Sequence, residues 1–328
     1  MNWKGTALTI LKVGFAGGIL FWLLHKVNAP QVWDCMREAH LTPILIGILL
    51  AEITVLIAAW RWQQLLSVFQ IGASVRSLLC IAQIGQFFMI FLPGPTGDDL
   101  TRMLYISRLA KGRVVEACTS VAIDRLIGLG SILLLAVICI PFQWELLTST
   151  VSTHWISLGI VTFGGIAVVA GIFFFLVGHP TRLWFQHQLR SLPAKGFRDE
   201  VARIWGLLCD SKPAVARVIT TAVGTQILVC TMFYLAGMAV GLHIPMLIWM
   251  GIVPIILAAS AVPITIAGIG VREYLMVLFL GVLANVDQEK ALAASLIVFA
   301  MILSVSLLGG IVYIFYRPRT DSVTPAES

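Results

Sequence analysis

The residues that could do chemistry are ionisable side chains set inside or beside apolar runs. Glu52 lies within an apolar run covering 41–66, and Asp124 and Arg125 lie within another at 114–140. Thr96-Gly97-Asp98-Asp99 and then Arg102 follow Pro93-Gly94-Pro95, and Ala267-Gly268-Ile269-Gly270-Val271-Arg272-Glu273 follows Pro263. In the last group, bare backbone N–H groups open a helix beside an arginine, a combination suited to a phosphate or carboxylate. Arg125 and Arg272 are expected to contribute to one anion site, with Gly268 and Gly270 completing the cradle. Asp98 and Arg102 stand at i,i+4 and can pair. Thr96 or Asp98 can cap the returning helix, which explains one acid but not two adjacent ones. Adjacent helix positions diverge by about 100°, so Asp124 and Arg125 need separate partners on at least two neighbouring helices. All these charges could instead be ion pairs that lock a bundle, or at least one could face a polar cavity.

What positions them follows from composition. Of 328 residues, 59% are apolar and 12% charged, against about 25% charged in a soluble domain. The mean hydropathy is +0.95. No water-facing surface can be built from the remainder, which excludes a soluble enzyme, a secreted domain and a disordered chain. The apolar runs are continuous rather than alternating, which excludes a membrane β-barrel. A polytopic α-helical membrane protein is left. Its net charge of +6 sits in short loops, where it sets orientation rather than binding nucleic acid. Six cysteines without a C-x-x-C and six histidines without ligand spacing predict neither a disulfide frame nor a metal site, and no cofactor is implied.

Six runs are long enough to span a bilayer: 5–25, 41–66, 114–140, 153–178, 214–241 and 288–316. The first follows Lys4 and resembles a signal peptide, but it is long, and Pro30 obstructs the only candidate cleavage signal; it is expected to be retained. Two further segments, beginning at 77–92 and 246–262, break at Pro/Gly-rich stretches and resume as short helices to 113 and 284. They are expected to be re-entrant hairpins, since broken backbone at membrane depth must be buried or line a wet cavity. The order span, span, hairpin, span occurs twice, over about 1–140 and 153–316. Three crossings per half predict an inverted repeat within a single domain, 1–316. Pro93 precedes Arg102 by the same spacing that separates Pro263 from Arg272. Basic residues collect on the side of both termini, which predicts cytoplasmic ends in a cell membrane. The loop 179–213 mixes basic and aromatic residues and suits either a helix on an anionic leaflet or a plain cap on the bundle. The tail, 317–328, is expected to be disordered.

Four elements resemble a known family. Pro93 to Arg102 resembles the P-x-x-x-G-D-x-x-R element of the lysylphosphatidylglycerol synthase transmembrane-region family, also called UPF0104 or flippase-like. Ala59-Trp60-Arg61-Trp62 resembles its arginine-tryptophan element, Ser120 to Gly128 its S-V-x-x-E/D-R-x-x-G element, and Gly268 to Glu273 its G-I-G-x-R-E element. Asp98 departs from the pattern, where glycine commonly precedes the aspartate, so the resemblance points to Asp99 as the functional acid. The resemblance adds Arg61 to the candidate site and implies translocation of lipids between leaflets. Few residues follow the last run, so a stand-alone unit without an aminoacyl-transferase domain is expected.

The expected function is movement of a phospholipid or polyprenyl-phosphate-type lipid through a positively charged cleft, without enzymatic chemistry. Arg125, Arg272, Gly268, Gly270, Arg102 and Arg61 would hold the headgroup phosphate. Asp99, Asp98, Asp124, Glu52 and Glu273 are the acids, with Asp99, Asp124 or Glu52 as candidate proton carriers because no nucleotide-binding motif is present. The partners expected are membrane lipids, with a second copy or a separate lipid-modifying enzyme also open. Two alternatives remain: a membrane enzyme acting on a lipid phosphate, with Asp98 and Asp99 holding Mg²⁺, or a non-transporting accessory subunit.

Overall fold

The structure, a computed structural model, describes residues 29–90, 96–110, 112–144, 154–155, 157–166, 168–169, 171, 203–204, 206–261, 269–317 and 323–325. Ten helices stand out among them: α1 (Ala29–Arg37), α2 (Leu41–Val68), α3 (Val75–Met89), α4 (Thr96–Leu109), α5 (Val114–Cys139), α6 (Ser157–Ile166), α7 (Lys212–Ala239), α8 (Met246–Ala261), α9 (Val271–Ala284) and α10 (Gln288–Phe315). Among the described residues, α2, α5, α7 and α10 are long and apolar enough to cross a membrane. Each has 26 to 28 residues. At about 1.5 Å per residue they reach roughly 40 Å, beyond a hydrocarbon core of about 30 Å. The protein is an all-α polytopic membrane protein. These helices match four of the expected spans closely at both ends. The span expected at 5–25 lies outside the described residues, and that at 153–178 is represented by α6. Most of the loop 179–213 also lies outside them.

The broken segments form pairs of short helices. Helices α3 and α4 flank 91–95 and α8 and α9 flank 262–268, with both turns outside the described residues. Each pair packs arm against arm, and at 14 to 16 residues no arm crosses alone. The first pair is joined at glycines. A β-carbon at Gly85 would overlap the Asp98 carboxylate, and one at Gly97 the Phe88 carbonyl. On the other face of α3, a β-carbon at Gly309 of α10 would overlap the Gln83 carbonyl. Small residues permit such approach where lipid supplies no hydrophobic drive between helices.

The most extensive contact joins α2 to α7. Around it, α3 packs on α10 and α8 on α5; α2 packs on α10 and α7 on α5; α4 packs on α5 and α9 on α10. Trp62, Phe233, Trp249 and Phe279 are fully buried between these helices.

The helix ends separate into two sets. At one end the Ser77 hydroxyl meets the Tyr316 hydroxyl at 2.6 Å, and Arg113 donates to the Phe69 and Gln70 carbonyls at 3.1 and 3.2 Å. At the other, the His40 N–H donates to the Ala239 carbonyl at 2.8 Å, and the Gln143 amide donates to the Leu247 carbonyl. Arg76, Arg108, Arg113, Lys212 and Arg317 stand at the first end, whereas Arg37 and Lys290 at the second have Asp34, Glu38, Asp287 and Glu289 nearby. Two short strands also belong to the first end: β1 (Ile71–Ala73) pairs antiparallel with β2 (Val323–Pro325). The partner of these three tail residues is far away in sequence.

Candidate functional site

A cavity of about 390 Å³ opens in the middle of the bundle, where α2, α3, α4, α5, α7, α8, α9 and α10 converge. Helix α2 contributes Ala51, Thr54, Val55, Ala58 and Arg61, a stripe at the spacing of one helix face. Ten residues of α2 cover roughly 15 Å at about 1.5 Å per residue, so the cavity runs from mid-span toward the basic end.

One wall is charged. Arg61 grips Asp124 with two hydrogen bonds, Nε to Oδ1 at 2.8 Å and Nη2 to Oδ2 at 3.0 Å. Arg102 donates Nε to Asp98 Oδ1 at 2.8 Å and Nη1 to Asp124 Oδ2 at 3.3 Å. Asp124 thereby ties α2 and α4 to α5. Its neighbour Arg125, turned away around the helix, faces Asp99, with Nε 3.8 Å from Oδ2. The separate partners required by adjacency are therefore Arg61 and Arg102 for Asp124, and Asp99 for Arg125. Trp62 braces this wall: its indole N–H donates to Ser120 Oγ at 3.0 Å, and the Arg102 guanidinium lies over its ring, 5.4 Å from the centroid. Indole and guanidinium thus add a cation–π contact to the ion pairs.

The pairs differ in tightness. The side chains of Arg61, Asp98, Arg102 and Asp124 are each less than 10% exposed. Those of Arg125 and Asp99 are 35% and 25% exposed. The cleft expected to be positive carries acids as well as arginines. Arg61, Arg102, Arg125 and Arg272 line the cavity with Asp98, Asp99 and Asp124, because charges withdrawn from water need partners.

The lining from α7, α8 and α10 is largely apolar: Val229, Met232, Phe233, Leu257, Ile302 and Val305, with Thr225, Gln226 and Ser260 among them. Arg272 joins Arg125 in lining the cavity. Its guanidinium, however, is engaged by its neighbour: Nε and Nη2 donate to Glu273 Oε1 at 3.1 and 2.5 Å. It also lies 5.5 Å from the Phe299 ring centroid. Gly270 has φ +89°, a conformation that favours glycine. The cradle of bare N–H groups needs correction there. The Gly270 N–H donates to Glu273 Oε2 at 2.5 Å, the reach-back of an N3 glutamate to the N-cap. Ser295 Oγ adds a third contact to Glu273 at 3.4 Å, and Glu273 does not line the cavity. Gly268 lies outside the described residues.

Glu52 stands apart from this network. On α2, beside the cavity stripe, it accepts from Gln83 Nε2 at 2.5 Å. Gln83 went unnoticed in the sequence, although Gln83 and Gln86, a helical turn apart within an apolar run, were the signal that could have found it.

The four sequence elements thus meet in space: Arg61 and Trp62, Asp98 to Arg102, and Ser120 to Arg125 build one wall, and Arg272 closes it from α9. The family model described as lysylphosphatidylglycerol synthase TM region matches residues 9–310. The chain belongs to this family. Among curated proteins, none matches the chain. In this member of the lysylphosphatidylglycerol synthase transmembrane-region family, the matched stretch contains every residue that lines the cavity.

Proposed function

We propose that the protein is a lipid translocase, in which the cavity takes a phosphate-bearing headgroup while the acyl or prenyl chains remain against the apolar wall and the bilayer. The observation that carries this is a cavity at mid-depth that joins a cluster of arginines and aspartates from α2, α4 and α5 to a largely apolar lining from α7, α8 and α10. Arg125 is the phosphate-binding residue in this reading, because its pair with Asp99 is long and partly open whereas Arg61 and Arg102 are buried and already hydrogen-bonded to carboxylates. A guanidinium fork can exchange one carboxylate for two phosphate oxygens without leaving itself unpaired.

Alternation comes from an inverted repeat. Exchanging α2 with α7, α3 with α8, α4 with α9 and α5 with α10 maps the observed helix contacts onto one another: α3 on α10 becomes α8 on α5, and α4 on α5 becomes α9 on α10. The α2–α7 contact maps onto itself. Such pairing places the cavity at the repeat interface, where rocking of one half on the other would open it to each side in turn. The basic end faces the cytoplasm in this arrangement, and the membrane is the cell membrane. Pairing of Asp98 and Asp99 with different arginines gives little support to a Mg²⁺-dependent enzyme, since neither carboxylate is left over for the ion.

Purified protein in liposomes with a headgroup-preserving, tail-labelled fluorescent phospholipid tests the reading. Quenching from outside should reach the inner-leaflet pool faster than in protein-free vesicles. The same slow, partial quenching with and without protein would overturn it. Arg125→Gln should remove most of the acceleration.

A further inference from the structure

Among the described residues at membrane depth, one carboxylate has no cation. Arg61 and Arg102 hold Asp124, Arg102 holds Asp98, Arg125 faces Asp99, and Arg272 holds Glu273. Glu52 has Gln83 alone, through its Oε2. Its other oxygen, Oε1, is buried with no hydrogen-bond partner, and so is Gln83 Oε1. Gln83 is itself only 8% exposed. The pair therefore has two buried acceptors and nothing to join them.

We propose that Glu52 and Gln83 form a proton-binding site, in which a proton on Glu52 Oε1 donates to Gln83 Oε1. A carboxylic acid and a primary amide are complementary: the amide N–H donates to one acid oxygen while the acid O–H donates to the amide oxygen. One hydrogen bond of that pair is present. A single proton supplies the other and satisfies both stranded oxygens, and it neutralises a carboxylate in an apolar setting, where charge is disfavoured. Water on whichever side the site is open to supplies and takes back the proton, and no other bond changes.

The surroundings leave this assignment unopposed. Among the described residues, α3 brings Arg76 and Cys80 and α10 brings Glu289, Lys290 and Tyr313, each from near a helix end or another turn. Helix α7 brings Lys212, Arg217, Cys230 and Tyr234, and α5 brings Glu116, Cys118 and Cys139 besides Asp124 and Arg125. None of them hydrogen-bonds or ion-pairs with Glu52.

The site also occupies a mechanically useful place. It bridges α2 to α3, the first arm of the first hairpin. On its other faces α3 is fixed by the close approaches of Gly85 to Asp98 and of Gly309 to the Gln83 carbonyl. Loss of the proton would leave a carboxylate oxygen facing an amide oxygen and loosen α3 from α2, and α4 with Asp98, Asp99 and Arg102 would follow. The role in transport rests on the translocase reading; binding of the proton does not.

Infrared difference spectra between acidic and alkaline buffer, recorded on purified protein in lipid, test the site directly. Wild type should show the carbonyl stretch of a protonated carboxyl that titrates, Glu52→Gln should lack it, and Gln83→Leu should shift it to higher frequency as the acid loses its amide partner. A band unchanged by both substitutions would overturn the proposal, as would the absence of any such band in wild type. In liposomes, the ratio of translocation rates with and without an imposed pH gradient should depart from unity in wild type and return to it in Glu52→Gln. An equal gradient response in both proteins would overturn the coupling role. If wild-type vesicles translocate no lipid at all, the translocase reading falls, while the infrared result still decides the proton site.

Discussion

The two halves handle their intramembrane arginines differently. In the first half, Arg61 and Arg102 reach across helices to Asp124, so one aspartate on α5 fixes α2 and α4 together. In the second, Arg272 turns to the adjacent Glu273, which also closes the start of α9 by accepting from Gly270. One wall is held by ties between helices, the other by a local clasp and apolar packing. Charge in the first half serves assembly as well as the cavity, and only its loosest pair, Arg125 with Asp99, has freedom to exchange partners.

The sharpest break in that contrast is Asp124→Ala. It leaves two buried arginines without their shared partner, and removal of one side of a buried pair costs about 3–5 kcal/mol. Thermal unfolding in detergent should show a large fall in melting temperature, or no folded protein at all. Glu273→Ala, which releases one arginine and one N–H within a single turn, should cause a smaller fall. Equal falls would erase the difference between cross-helix tie and local clasp.

The hairpins extend the comparison. Gly97→Ala forces a β-carbon into the Phe88 carbonyl, and overpacking of this kind costs about 1–3 kcal/mol. Gly281→Ala in α9 meets its nearest neighbour, the Val286 carbonyl, at 3.9 Å. That is ordinary contact, and alanine in a helix gains about 0.5–1 kcal/mol over glycine. Melting temperatures should therefore move in opposite directions. Gly270→Ala should also lower stability, by about 1–3 kcal/mol for a side chain held in a sparsely populated backbone region. A rise in its melting temperature would show that α9 can start differently.

The smallest effect on stability belongs to Arg125→Gln. A long, partly exposed pair contributes at most about 1 kcal/mol, so melting should barely change. Lipid translocation should nevertheless fall about tenfold or more, as expected if one charged hydrogen bond of roughly 1.5–3 kcal/mol is lost. A large drop in melting temperature would move Arg125 into the assembling group with Arg61.

The long helices were legible because a run such as 288–316 has no other way to satisfy its backbone in lipid. The hairpins were legible because Pro93 to Gly97 and Pro263 to Gly270 interrupt such runs. Adjacency alone required different partners for Asp124 and Arg125, but their identities depend on contacts far apart in sequence. Arg61 lies 63 residues from Asp124. The fold-back of Glu273 is present in the local pattern, as a glutamate three residues after a helix-opening glycine, but the same glycines beside an arginine also fit a phosphate cradle. The pairing of β1 with β2 left no local trace, because three-residue strands acquire meaning only from each other.

The separation between Arg61 and Asp124 also bears on how the protein is made. Ribosomes add about 5–20 residues per second, so Arg61 emerges roughly 3–13 s before the carboxylate that receives it. During that interval α2 carries an unmatched guanidinium toward its basic end, a charge that costs about 2.5–3.5 kcal/mol at a bilayer's centre and less nearer the headgroups. The insertion machinery must therefore retain α2, or let it sit shallow with its arginine at the headgroups, until α4 and α5 arrive. Arg61 on α2 thus meets its counter-charge only once α5 is made, whereas Arg272 on α9 has its own in the next residue.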